Sequence, residues 1–290
     1  MSNVLAVDLG GTKTAIALID GTGRLTQKRK LPAAHTFEAT VGQIVAWSSA
    51  GVAAAGIIVP GIYDPRAGTV WAPNLWGREF LPLRDALEQR LGLPVVIGSD
   101  RTGCVLAEQW LGVARGLRDI VFVAVGTGIG VGIVSGGRPI EGAHGIAGAA
   151  GWMVVGGPWK HEYVATGGWE TEAAGPAVAR RAGMESAEAV VAAARAGNEA
   201  ALDALQQAAD YLALGIASLI SLLDPDMVVL GGGLMQASDL MLERIRSQAL
   251  RWTQPIAAGV VRIEKTALGE DAGLLGAARL ARLETGLDKE

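Results

Sequence analysis

Short apolar runs broken by glycine turns set the pattern of this chain. Residues 4–7 are apolar, Asp8-Leu9-Gly10-Gly11-Thr12-Lys13-Thr14 is polar and glycine-bearing, and residues 15–19 are apolar again before Asp20-Gly21-Thr22-Gly23. That order predicts strand, tight turn, strand and hairpin. Residues 37–48 read as a helix, 55–59 as a buried strand ending at Pro60-Gly61, and 81–91 as a helix with an apolar stripe closed by Gly92. Residues 94–97 form a further strand, with Asp100 at its carboxyl end before a helical stretch at 105–111. The opening pattern then recurs. Residues 120–125 are apolar, Gly126-Thr127-Gly128-Ile129-Gly130 is a glycine turn, and 131–134 are apolar before Ser135-Gly136-Gly137, so the chain carries an internal repeat. A long helix over 199–223 stops at Asp224-Pro225-Asp226, a strand over 227–230 enters Gly231-Gly232-Gly233, and a last helix covers 272–284.

Composition narrows the function. Half of the 290 residues are hydrophobic and 19% are charged, which supplies a large core and excludes a disordered chain. The length favours two lobes over one core. The net charge of -4 and the absence of a basic block longer than Lys28-Arg29-Lys30 argue against a nucleic-acid or membrane-surface partner. Cys104 is the only cysteine, so no intrachain disulfide and no cysteine-rich metal cage can form. No basic leader precedes residues 4–7, and no apolar run approaches the roughly 20 residues of a membrane-crossing helix, so a soluble cytoplasmic protein is expected.

The 41 glycines are about twice average usage. Three of the glycine loops each follow a short buried strand, an arrangement that offers several backbone N–H groups to a phosphate. The first also holds Asp8, suited to magnesium through water, and Thr12 and Lys13, which can donate to phosphate oxygens. It is not a Walker A loop, because that spacing is absent. A carboxylate directly after an apolar strand has little structural reason of its own. Asp100 has one: from the residues alone it reads equally as a helix N-cap. Asn74 after Pro73 reads equally as a turn former, and Lys13 as a solvated strand-edge residue.

The duplicated unit with a third glycine loop resembles the actin-hexokinase-Hsp70 ATPase fold, and the chain resembles the ROK family (repressors, open reading frames and sugar kinases) along nearly its whole length. The segments carrying the likeness are Asp8-Leu9-Gly10-Gly11-Thr12-Lys13, Pro60-Gly61, Pro73-Asn74-Leu75-Trp76, Ser99-Asp100, residues 126–132, Gly145-Ile146-Ala147-Gly148, residues 223–226 with Gly231-Gly232-Gly233, and residues 272–278. The resemblance implies an α/β, two-lobed actin-like ATPase (ribonuclease H-like) fold with a central cleft for ATP and sugar. It implies an N-terminal lobe over 1–117, with the C-terminal helix near 272–290 packing back on it, and a C-terminal lobe over 118–271.

The implied reaction is ATP-dependent transfer of the γ-phosphoryl group to a hexose or hexose-derivative hydroxyl, with magnesium as cofactor. On that likeness Asp100 is the catalytic base and Asp8 organises magnesium through water. Gly10, Gly11, Thr12 and Lys13 hold phosphate, Gly126, Thr127 and Gly128 form a second phosphate loop, and Gly231, Gly232 and Gly233 lie against the adenosine. Gly61, Asn74, Asp100, Glu170 and Trp152 face the sugar. A homodimer follows from the family and has no warrant in these residues.

Three departures qualify the carry-over. The family's AGExGH segment is Ala147-Gly148-Ala149-Ala150-Gly151-Trp152 here, so its Glu and His are replaced by Ala149 and Trp152. The family's zinc motif, CxCGxxGCxE, aligns with residues 161–170, where every cysteine is gone and Glu170 alone persists, so no structural zinc site is expected. Glu170 reads either as the family's sugar ligand or as a first-turn glutamate at a helix N-terminus. Trp152, Trp159 and Trp169 either fill the volume of the lost knuckle or, in the case of Trp152, stack on a ligand. Arg101 and Ser99 replace a small residue and an asparagine, so Arg101 is positioned either to pair with an anionic substrate or to restrain Asp100. Two alternatives remain: a non-catalytic sugar sensor, and a kinase for an amino sugar or polyol. A repressor is disfavoured because the first strand begins by Val4, leaving no place ahead of it for a helix-turn-helix.

Overall fold

The computed structural model describes residues 2–288, which divide into two compact units. One runs to Arg115 and adds Pro139–Ile146 and the stretch from Leu268; the other comprises Gly116–Arg138 and Ala147–Ala267.

The first unit is built on five strands: β1 (Asn3–Leu9), β2 (Lys13–Ile19), β3 (Leu25–Pro32), β4 (Val52–Val59) and, later in the chain, Val95–Ser99. Between them lie three short strands, β5 (Ile62–Asp64), β6 (Thr69–Trp71) and β7 (Phe80–Leu81), which make a separate antiparallel sheet, so Val95–Ser99 is β8. The main sheet runs β3-β2-β1-β4-β8, antiparallel across the first pairs and parallel over β1, β4 and β8. Both of its faces are covered, which is why β1 is a continuous apolar run and not an alternating one. Leu5, Val7 and Leu9 pack on one side, in the cluster that includes Val41, Ile44, Leu83 and Leu87; Val4 and Ala6 pack on the other, against Leu274, Ala277 and Ala278.

That second cover is the helix Ala272–Thr285, and it approaches closely because its contacts are glycine and alanine. A side chain on Gly56 of β4 would fall 1.9 Å from the Ala277 carbonyl oxygen. The helix Asp100–Leu111 meets it where a Cβ on Gly276 would lie 2.0 Å from the Gly103 carbonyl oxygen. Backbone is the obstacle there, so relief requires the helices to separate. Gly276→Ala is expected to cost about 1 to 3 kcal/mol through overpacking, read as a lower urea midpoint at unchanged slope.

The second unit repeats the plan. Strands β9 (Ile120–Val125), β10 (Ile129–Ser135), β11 (Arg138–Pro139), β12 (Met227–Gly231) and β13 (Arg262–Lys265) form a sheet ordered β11-β10-β9-β12-β13, again antiparallel and then parallel. The repeat read in the sequence is thus one sheet order used twice. The long helix Glu199–Leu223 packs against Ser238–Trp252 and ends where Asp224 takes a left-handed conformation (φ 47°) ahead of Pro225. Among the described residues no helix is long and apolar enough to cross a membrane.

Candidate active site

Parallel strands deliver their carboxyl ends to one edge of a sheet, and functional residues gather there. In the first unit Asp8 pairs with Ile58 and Val59 with Ser99, so Asp8, Gly61 and Asp100 leave β1, β4 and β8 at the same edge. Asp100 is the first residue of its helix. Ser99 is the N-cap, its hydroxyl accepting from the Thr102 amide at 3.2 Å, so the cap reading of Asp100 is replaced by that of its neighbour. The Asp100 carboxylate accepts from the amide of Arg101, at 2.8 Å, and from its own backbone amide.

Both carboxylates are held above their ordinary range. Burial raises Asp8 to about 6, the charge of Asp100 adds to this, and Lys30 opposes it. Burial also raises Asp100, against the pull of Arg101 and its amide. Solvent reaches the Asp100 side chain, so the group is open to a ligand, while the protein around it makes its charge harder to hydrate. Among the described residues the Arg101 Nε is buried without a partner. The Asp8 carboxylate lies over Gly273, where a Cβ would come within 2.2 Å of its oxygen. That contact gives Gly273 its reason, and sequence reading passed it by, although a glycine in the first turn of a helix is an available signal. A buried carboxylate short of compensating charge, as Asp8 is, fits a hard divalent cation held through water.

The other predicted residues of this unit are distributed as follows. Gly10 closes the β1–β2 turn, its amide donating to the Lys13 carbonyl at 2.9 Å, and a Cβ there would meet that same oxygen at 2.8 Å. Gly11 and Thr12 are exposed, and their amides have no partner among the described residues; Lys13 opens β2 with its side chain in solvent. Gly61 sits where a Cβ would be 2.1 Å from the Trp71 carbonyl oxygen, a requirement of the small sheet. Asn74 is exposed on the short helix Pro73–Trp76 and makes no hydrogen bond among the described residues.

In the second unit the carboxyl ends of β9 and β12 border a cavity of about 610 Å³, lined by Gly126, Thr127, Pro176, Glu188, Arg195 and Gly233 among others. The turn after β9 is fastened from two sides. The Gly126 amide donates to the Gly128 carbonyl at 2.9 Å, and the Gly175 amide donates to the Gly126 carbonyl at 2.8 Å. The amides of Thr127 and Gly128 have no partner among the described residues. Of the later glycines only Gly233 lines the cavity. Gly231 is required by Phe122, whose ring a Cβ would strike at 2.4 Å, and Gly232 (φ 88°) by the backbone of Val125.

Glu170 is the third residue of the helix Gly168–Ala173, and it does not serve its own helix N-terminus. Its Oε2 accepts from the Ile129 amide at 2.7 Å. Trp169 is fully buried and donates from Nε1 to the Tyr211 carbonyl at 2.9 Å, in a notch that Gly215 leaves in the long helix. Trp152 and Trp159 are 58% and 69% exposed, so of the three tryptophans only Trp169 fills interior volume. The segment aligned with the family's zinc motif is tied down ionically: Lys160 and the Tyr163 hydroxyl bond to one oxygen of buried Glu172, and Arg181 bonds to the other at 2.8 Å. Among the described residues no three His, Cys, Asp or Glu side chains gather as metal ligands.

Comparison with known proteins agrees with this layout. The profile of the ROK family matches residues 4–284. A glucokinase of Streptomyces coelicolor is 33% identical, over 97% of this chain and 98% of its own length. An N-acetylmannosamine kinase of Citrobacter koseri is 32% identical, over 97% of this chain and 99% of its own. The crystal structure of a ROK family glucokinase from Streptomyces griseus in complex with glucose and AMPPNP superposes with a TM-score of 0.78 at 31% identity, covering 97% of this chain and 99% of that one. The fold is the actin-like ATPase fold of that structure.

Proposed function

Because the chain belongs to the ROK family, we propose that it is an ATP-dependent carbohydrate kinase transferring the γ-phosphoryl group to a hydroxyl of a hexose or hexose derivative. The observation that carries this reading is Asp100. It is a solvent-reached carboxylate at a strand's carboxyl end, free of capping duty and raised in basicity by its surroundings. A base works best when its pKa approaches the operating pH.

Phosphoryl transfer asks a protein for positioning and neutralisation more than for covalent chemistry. Asp100 accepts the proton of the attacking hydroxyl as the new O–P bond forms and the bond between the β,γ-bridging oxygen and the γ-phosphorus breaks, releasing ADP. The unengaged amides of Thr127 and Gly128 donate to phosphate oxygens, as do those of Gly11 and Thr12, with Lys13 adding charge. The 610 Å³ cavity takes the nucleoside, with Gly126 and Gly233 in its wall. Asp8 would hold magnesium through water, leaving Asp100 free to take the proton, and the ion would supply neutralisation of phosphate charge when bound. Gly61, Asn74, Glu170 and Trp152 complete the reading as acceptor contacts, and a cytoplasmic homodimer completes it as a state.

The replacement of the family's Glu and His by Ala149 and Trp152 favours a second acceptor class, an amino sugar or polyol whose hydroxyls are arranged differently from a hexose's. A coupled ADP-release screen over hexoses, N-acetylhexosamines and polyols separates the two. Turnover on some member, abolished in Asp100→Ala, is expected; nucleotide binding with no turnover on any would overturn the kinase reading in favour of a sensor.

A further inference from the structure

Glu170 is mounted with little freedom. Its predecessor, Trp169, is locked into the long helix, and the Trp169 amide donates to the Met153 carbonyl at 3.0 Å. Its successor, Thr171, bonds through its hydroxyl to the Gly167 carbonyl at 2.6 Å. The carboxylate projects from this mount onto the far end of the β9–β10 turn. There it takes the Ile129 amide, and it lies flat on Gly128, where a Cβ would be 2.5 Å from Oε2 and 3.3 Å from Oε1. On its other side a Cβ on Gly151 would be 2.9 Å from the same Oε2 and 3.0 Å from the Ile129 carbonyl oxygen. Two glycines and one amide therefore clear a place for this carboxylate against the back of a turn whose front, Gly126 and Thr127, lines the nucleoside cavity. Oε1 has no partner among the described residues.

We infer that Glu170 is a positioning residue for the phosphate donor, holding the Gly126–Gly130 turn in the shape that presents its amides, in addition to any contact it makes with the acceptor. The inference rests on the kinase reading only in taking the donor to be a nucleoside triphosphate. A turn whose free amides must converge on an anion gains from being fixed beforehand, since no ordering then remains to be done on binding. The bond at Ile129 is charge-assisted and half-buried, the kind whose loss is felt most. Neither Glu170 nor Ile129 lines the cavity, so Glu170 acts on the donor through the turn and not by contact.

The test is nucleotide affinity measured without sugar, by calorimetric titration of the non-hydrolysable analogue AMPPNP with magnesium into the wild type, Glu170→Ala and Glu170→Gln. Alanine leaves the Ile129 amide unpaired, and the dissociation constant is expected to rise roughly tenfold. Glutamine keeps a carbonyl oxygen for that amide and is expected to restore affinity to within about threefold of the wild type. Hydrogen exchange supplies a second reading: a peptide spanning Ile129 should lose protection in the alanine variant and keep it in the glutamine variant. Unchanged affinity in Glu170→Ala would overturn the inference, as would equal weakening in both variants or a wild type that binds no nucleotide. A wild type that binds AMPPNP but phosphorylates no acceptor would remove the kinase reading and leave this comparison decisive on its own question.

Discussion

Asp100→Asn is expected to lower kcat by a factor of about 100 to 10,000, the range contributed by a positioned general base, with no loss of melting temperature. The two expectations belong together because of Ser99. A helix that depended on Asp100 for its N-cap would lose about 1 kcal/mol or more on substitution. Here the Ser99 hydroxyl takes the Thr102 amide, and the Asp100 side chain accepts from its own amide and that of the residue beside it. Asparagine preserves shape and that acceptor while removing the ability to take a proton. Steady-state turnover at saturating ATP and acceptor, compared with thermal unfolding of the same preparations, separates chemistry from stability. A variant retaining more than a tenth of wild-type kcat would mean that the proton leaves by another route.

The legible part of this molecule is what neighbouring residues decide among themselves. The β1 and β9 units announce themselves because a buried strand, a glycine turn and a second strand are contiguous. The stop at Asp224-Pro225 is equally local, and the tertiary structure keeps it. What escaped is what distant segments settle between them. The helix read as starting near residue 105 starts at Asp100, because Gly103, a poor helix former by propensity, is the surface onto which Gly276 packs. Asp8, inexplicable from its own strand, lies on Gly273 at the other end of the chain. The three glycines at 231–233 look alike in sequence, yet Phe122 claims one, the backbone of Val125 another, and only the third faces the cavity. Glu170, on a helix, finds its partner on strand β10, and neither of the roles read for it from sequence included the Ile129 amide. The tryptophans divide by the same logic, since whether a ring is interior depends on the notch at Gly215 and not on the ring.

Asp8→Asn should remove turnover and, in metal-free buffer near pH 7.5, make the fold more stable by on the order of 3 kcal/mol. The sign follows from the direction of the shift. Burial, aided by the charge of Asp100, raises the carboxyl from 3.8 to about 6. Between those two pH values the folded chain keeps a proton that the unfolded chain has given up, so native stability falls as pH rises across that window. Asparagine is neutral throughout and escapes that loss. The advantage of the variant should therefore be full above pH 6, shrink on acidification and vanish below 3.8, where both side chains are uncharged. Urea denaturation at a series of pH values with a chelator present measures this directly, and a variant less stable at pH 7.5, or one whose advantage ignores pH, would refute it. Adding magnesium and nucleotide should then stabilise the wild type far more than the variant, because only the native state with its carboxylate intact gains the bound ligand. If Asp8 holds a cation as proposed, the charge that destabilises the empty fold becomes an asset once the ion is bound, and a reversed stability order on adding ligand is the expected sign of it.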